Sequence, residues 1–236
     1  VDVLNQYFAI TETDSSLCFL PLSHALERAW TYVVLSNGAM NTYVPDPRTV
    51  AEAMVRARAN LLVSVPRLYE KVYAAAADKV ADSPLKQKLM AWALRVGADF
   101  HTAVAENRPR SRSLIVRFKL ADKLVLSSIR DAMGGRKKVL ACGGAPLRVD
   151  VQEFFFACGL MLHSGYGLTE TSPLVSFPSP SSYRVGTVGK VVDGGEVRIA
   201  EGGEICYRGP NVMLGYWNNP DETAAVLVDG WVHTVD

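Results

Sequence analysis

Strand-length apolar runs that give way directly to helical periodicity set the pattern of the first two-thirds of the sequence. Leu61-Leu62-Val63-Ser64-Val65 is one such run. Pro66 then opens an amphipathic stretch in which Leu68, Val72 and Ala76, with Tyr69, Tyr73 and Val80 beside them, recur three and four residues apart. A second helix is predicted across Leu85, Leu89, Ala93, Val96, Phe100 and Ala103, and a third across Phe118, Ala121, Val125, Ile129 and Met133 before Gly134-Gly135. Strands alternating with helices imply an α/β fold, and the periodic apolar positions read as its core. From about Val175 the texture changes to short β-rich runs, Val197-Arg198-Ile199 and Glu204-Ile205-Cys206-Tyr207, broken by Gly, Pro, Asn and Asp. The expected organisation is an α/β part over residues 1–174 and a β-rich subdomain over residues 175–236.

With 49% apolar and 21% charged residues, the chain is expected to be globular rather than disordered or fibrous. Lys and Arg number 25 against 24 Asp and Glu, so the charge balance gives no reason to expect a nucleic-acid partner. Arg108, Arg110, Arg112, Arg117 and Lys119 form a basic linker between two predicted helices; it reads as a solvated loop, or as a contact for phosphates or an anionic membrane surface. Cys18, Cys142, Cys158 and Cys206 show neither a CxxC pair nor a metal-ligand rhythm, which favours reduced thiols. No apolar run approaches the roughly 20 residues that span a bilayer, and the start has no secretory signal pattern. The expected setting is cytoplasmic, with peripheral membrane association left open. The sequence lacks an initiator Met and stops just after Trp231-Val232, so both ends are expected to be cuts through a larger protein.

Four stretches carry chemistry. In Leu160 through Pro173 a strand-like run enters a polar loop: Gly165 and Gly167 let the backbone approach a ligand closely, Tyr166 offers a flat face, Thr169 and Thr171 offer hydroxyls, and Glu170 offers a carboxylate for a hard cation. The residues alone also allow a glycine-rich turn with a helix cap. Val139-Leu140-Ala141-Cys142 is a strand ending in Gly143-Gly144-Ala145-Pro146-Leu147, followed by a helix from Val149 to Ala157. Near the start lies Phe19-Leu20-Pro21-Leu22-Ser23-His24-Ala25-Leu26-Glu27-Arg28, where a single His also suits a hydrogen-bonded structural role. The tail runs from Gly203-Glu204-Ile205-Cys206 through Gly215-Tyr216-Trp217-Asn218-Asn219-Pro220 to Asp229-Gly230-Trp231-Val232-His233-Thr234-Val235-Asp236.

Tyr166-Gly167-Leu168-Thr169-Glu170-Thr171 closely resembles a signature of the adenylate-forming superfamily, which includes acyl-CoA synthetases, luciferases and peptide-synthetase adenylation domains. That resemblance implies Tyr166 against adenine, Gly167 among the nucleotide-binding residues, Thr169 near the α-phosphate and Glu170 on Mg²⁺. Gly143, Gly144, Ala145 and Pro146 are similar to the family's adenine-contacting turn. The Phe19–Arg28 string resembles its active-site turn, especially in the long-chain acyl branch; His24 would line the carboxylate and acyl pocket, and Trp30 would wall it. The tail match implies that Asp236 accepts the ribose hydroxyls, although Val235 stands where the family has Gly.

The implied fold is part of the large N-terminal domain of an adenylate-forming enzyme, a parallel-leaning sheet with flanking helices plus the β-rich subdomain. The implied activity is ATP-dependent conversion of a fatty acid to acyl-AMP, then thioesterification to CoA, with ATP, Mg²⁺ and CoA required. Long-chain preference is inferred from the Leu20–Arg28 string and from the helical insertion over about Asp82 to Arg136. Two alternatives stay open: a fatty acyl-AMP ligase loading a carrier protein, and a non-catalytic nucleotide- or acyl-binding module. The family's Ser/Thr/Gly-rich phosphate loop ending in Lys-Gly is not found in residues 1–236, so the chain alone is expected not to turn over. Oligomeric state is not legible.

Overall fold

The computed structural model describes residues 2–234. In chain order the first part contains α1 (Asp2–Tyr7), β1 (Ser15–Cys18), α2 (Ala25–Ser36), β2 (Met40–Tyr43), α3 (Val50–Ala57), β3 (Leu61–Ser64), α4 (Pro66–Asp78) and α5 (Pro84–Ala105). There follow α6 (Arg112–Ala121), a π-helical step (Asp122–Leu126), α7 (Ser127–Ala132), β4 (Val139–Cys142), α8 (Val149–Ala157) and β5 (Leu162–Ser164). The five strands make one parallel sheet in the order β2-β1-β3-β4-β5. Strands that all run one way must be joined by crossovers, which is why helices cover both faces.

Side chains alternate between those faces. Leu17, Leu62, Leu140 and Leu162 point to the side covered by α3 to α8, where they meet Met54, Tyr69, Val96 and Phe155. Leu61, Val63, Val139 and Ala141 point to the other side, against Phe8, Trp30, Val33 and Phe177. Burial of each such Leu or Phe side chain is worth about 1.5–3 kcal/mol, so these two layers hold the sheet in place. The buried Tyr69 hydroxyl donates to the Ala141 carbonyl at 2.6 Å and pins α4 to β4. At the amino ends of the strands, Asp14 accepts from Asn60 at 2.6 Å and pairs with Lys138 at 2.6 Å, joining the starts of β1, β3 and β4.

The predicted second helix is α5, capped by the Ser83 hydroxyl and started by Pro84. The third begins earlier than its apolar spacing indicates. Ser111 accepts from the Leu114 amide at 3.2 Å and caps α6, so Arg112, Arg117 and Lys119 lie on a helix and not in a linker. A π turn within this run is held by Arg130, which pairs with Asp122 at 2.6 Å and donates to the Cys158 carbonyl at 2.9 Å. None of the helices among the described residues is long and apolar enough to cross a membrane.

The second part contains β6 (Ser176–Phe177), β7 (Lys190–Val191), β8 (Glu196–Ile199), β9 (Ile205–Arg208), α9 (Pro220–Val226), β10 (Leu227–Val228) and β11 (Trp231–His233). β6 and β7 pair antiparallel, and the other four strands form an antiparallel sheet in the order β10-β11-β9-β8. Phe177 belongs to the core on one face of the parallel sheet, whereas Val175 packs with Val192 and Tyr207.

α5 crosses α8 at Gly97, where an added Cβ would stand 2.1 Å from the Ala157 carbonyl oxygen. Gly97→Ala gains about 1 kcal/mol of helix propensity, but the collision forces the helices apart at a cost of roughly 1–3 kcal/mol or more. The variant is expected to be less stable than the parent by urea denaturation; a rise in the midpoint would contradict this packing.

Candidate active site

The order of the parallel strands reverses between β1 and β3, and in open α/β sheets such a reversal leaves a crevice at the carboxyl ends of the strands. A cavity of about 700 Å³ opens there. Gly143 and Gly144 follow β4, Gly165 to Glu170 follow β5, and His24 and Trp30 come from α2 and the turn before it; all of them line the cavity. Leu26, Ala29, Val63, Leu174 and Phe177 give it mostly apolar walls.

Each segment is held by its backbone. The Gly143 amide donates to the Ser64 carbonyl at 3.2 Å, and Gly144 turns the chain with φ +81, a conformation that disfavours side chains. The Gly165 amide donates to the Cys142 carbonyl at 2.8 Å, while Tyr166 exchanges bonds of 3.0 Å with Ser176. Gly165 and Gly167, which line the cavity, also let the protein pack closely on itself. A Cβ at Gly167 would lie 1.9 Å from the Pro173 carbonyl oxygen, and one at Gly165 would lie 2.7 Å from the Phe177 ring.

A second cavity of about 450 Å³ lies beyond Tyr166. It shares Gly144, Gly165, Tyr166 and Gly167 with the first and adds Ala145, Pro146, Gln152 and Gly186. Gln152 sets its floor by donating to the Leu162 carbonyl at 2.9 Å and accepting from the Gly186 amide at 2.7 Å.

Thr169 is exposed at the start of a 3-10 turn (Thr169–Thr171), and Glu170 is half-buried behind it. Thr171 is buried; its hydroxyl accepts from the Leu168 amide at 3.0 Å and closes the turn. The segment after β9 grips the same turn. The Met213 amide donates to the Glu170 carbonyl at 2.8 Å, and the Asn211 amide group donates to the carbonyls of Thr171 and Leu174. The Tyr216 hydroxyl donates to Glu170 Oε1 at 2.7 Å, and this bond to the carboxylate, ahead of burial, pushes the phenol up to about 12. Tyr216 lies in the tail string Gly215–Pro220, whose local pattern carries no sign of this distant partner.

His24 is exposed at the amino end of α2 and makes no side-chain cap bond there. The turn before it is tied to Glu27, a fully buried carboxylate that accepts from the Leu20 amide at 3.1 Å and whose pKa is raised by burial. Trp30 is buried, with its indole N–H donating to Ser16 Oγ at 2.9 Å. The structure thus brings His24, Trp30, Gly143, Gly144, Tyr166, Gly167, Thr169 and Glu170 to one cavity, while Ala145 and Pro146 line its neighbour. Asp236 and Val235 lie outside the described residues.

A family model described as AMP-binding enzyme matches residues 1–217. Long-chain-fatty-acid–CoA ligase FadD15 of Mycobacterium bovis is 36% identical over 222 residues, which are 93% of this chain and 36% of that protein. Long-chain-fatty-acid–CoA ligase 5 of Rattus norvegicus is 32% identical over 250 residues, covering 99% of this chain and 35% of that protein. The chain therefore spans about a third of the length of these curated relatives. Among solved structures, apo MatB from Rhodopseudomonas palustris superposes with a TM-score of 0.64 at 24% identity, over 98% of this chain and 39% of the other, a likeness of fold.

His163, on β5 just before the Gly165 loop, supplies a pH test of the site's foundation. It is buried between Phe8 and Phe177, and its Nδ1 lies 2.9 Å from the Pro178 carbonyl. Burial lowers its pKa to about 4, against about 6.5 in an unfolded chain. The unfolded chain thus takes up a proton that the native chain refuses. The stability at stake is intact above about pH 6.5 and is lost as pH falls toward 4, to a total of roughly 3 kcal/mol. Stability measured by urea denaturation is expected to fall less steeply from pH 7 to 4 in His163→Phe than in the parent; parallel curves would contradict the assignment.

Proposed function

Because the chain belongs to the AMP-binding enzyme family, we propose that it carries the nucleotide- and acyl-binding core of a long-chain fatty acid–CoA ligase. The reaction is ATP-dependent activation of a fatty acid to acyl-AMP, followed by transfer of the acyl group to the thiol of CoA. The observation that carries this reading is the meeting of three stretches far apart in sequence, around His24, Gly143 and Tyr166–Glu170, on one apolar-walled cavity. The relatives named above, both long-chain ligases, support the choice of acid.

In this reading Tyr166 lies against adenine, between the two cavities, with Gly167 beside it and Gly143, Gly144, Ala145 and Pro146 as the adjoining turn. Thr169 offers its hydroxyl to the α-phosphate, and Asp236 takes the ribose hydroxyls. His24 meets the carboxylate of the acid, and Trp30 with Leu26 walls its chain. Acyl-AMP forms as a carboxylate oxygen bonds to the α-phosphorus and the bond to pyrophosphate breaks. Two anions must therefore be held together in the right orientation, with water kept out by the apolar walls.

The residues fit a magnesium ion. Glu170 engages Tyr216 through Oε1, and its Oε2 can join phosphate and water oxygens around a hard cation. Magnesium bound there would neutralise charge on the phosphates.

Calorimetric titration with Mg·ATP and with a non-hydrolysable acyl-adenylate analogue tests the assignment. Saturable binding is expected. Glu170→Ala should weaken Mg·ATP binding about tenfold or more, equal to about 1.4 kcal/mol. Asp236→Ala should weaken both ligands. Unchanged affinity in both variants, or no binding by a chain that circular dichroism shows to be folded, would overturn the proposal.

A further inference from the structure

We propose that Glu204, Cys206 and His233 form a binding site for a thiophilic divalent cation, zinc foremost. The three residues meet on the antiparallel sheet, and none of them has a role in the ligase reading. Cys206 on β9 stands directly opposite His233 on β11 in the strand register. Glu204 precedes Cys206 by two residues, and two is the repeat that returns a side chain to the same face of an extended strand. The pairing therefore delivers one thiol, one imidazole and one carboxylate to a single point.

The distances suit a metal. His233 Nδ1 is 2.8 Å from Glu204 Oε2, Cys206 Sγ is 3.6 Å from that Nδ1, and Cys206 Sγ is 3.9 Å from Glu204 Oε2. Zinc bonds of about 2.3 Å to sulfur and about 2.0 Å to nitrogen and oxygen, at tetrahedral angles, place ligand atoms about 3.5 Å apart where sulfur is one of the pair and about 3.3 Å apart where it is not. Each edge of the observed triangle is within about 0.5 Å of those values, a shift within reach of small side-chain rotations. Cys206 is fully buried, while the side chains of His233 and Glu204 are 27% and 29% exposed. The ion would be held from within and open to solvent on one side, leaving a fourth position for water or another donor.

The donor set selects the ion. A thiolate and an imidazole favour zinc over magnesium or calcium, which prefer oxygen ligands, so this site is chemically distinct from that proposed at Glu170. Binding exchanges the thiol proton for the metal and releases that proton to solvent, so affinity should rise with pH. Bound metal would staple β9 to β11 across the ladder. The inference does not depend on the nucleotide reading, and its test needs no catalysis.

The metal-free 236-residue chain is titrated with Co²⁺, read by thiolate-to-cobalt charge-transfer absorption, and with Zn²⁺ in competition with a chromophoric chelator. One equivalent per chain is expected, with the absorption retained in excess Mg²⁺. It should vanish in Cys206→Ser and persist in Cys158→Ala, while Glu204→Gln and His233→Gln each weaken zinc binding at least about tenfold. Substoichiometric binding by the parent chain, or charge-transfer absorption that survives Cys206→Ser, overturns the proposal. If Cys206→Ser does not fold, Glu204→Gln decides, because its side chain is partly exposed; unchanged zinc affinity in that variant would also overturn it.

Discussion

Strands β3 and β4 run side by side through the middle of the parallel sheet, and every one of their side chains is buried. A strand enclosed on both faces has no room for solvated polar groups along its length, so chemistry is confined to the places where the chain leaves the sheet. Here it leaves through Val65, Gly143 and Gly165, and these residues border the larger cavity. The layers formed by Leu62, Leu140 and Leu162 on one face and by Val63, Ala141 and Phe177 on the other hold those exits in register. The position of the site is thus a consequence of core packing, as expected for functional loops carried on a rigid scaffold.

The turn bearing Thr169 and Glu170 does not stand by itself. Asn211, Met213 and Tyr216 reach it from the segment after β9, and Asn211 is held by the Tyr207 hydroxyl at 2.7 Å. Tyr207 is fully buried beside Val175 and Val192, so the grip on the turn is anchored in a small hydrophobic cluster. The β-rich part therefore acts as a clamp on the polar loop, and the hydrogen bond from Tyr216 limits how the Glu170 carboxylate can turn.

Burial disfavours the charged form of several titratable groups around the site. Burial raises the Glu27 carboxyl, lowers the His163 imidazole and pushes the Cys142 thiol up to about 12. Cys142 lines the cavity yet is held as a neutral thiol, which suits a wall rather than a nucleophile. His163 and Glu27 act as struts. One supports the β5 exit by stacking on Phe177, and the other fixes the turn before α2 through the Leu20 amide.

Sequence alone determined the α/β alternation, the helices that become α4, α5 and α8, and the residues that resemble an adenylate-forming site, because hydrophobic period, Pro and Ser caps and glycine turns are local signals. Even there, the start of α6 was missed, since the Ser111 cap sits among arginines that read as a loop. Tertiary structure decided what depends on distant residues meeting. It set the strand order that opens the crevice, and it revealed that Gly165 and Gly167 are small because Phe177 and Pro173 lie against them. It also brought Tyr216 to Glu170 across 46 positions of chain and set Cys206 opposite His233 across 27. No spacing rule announces such pairs; strand register and core packing create them, and both are properties of the folded chain as a whole.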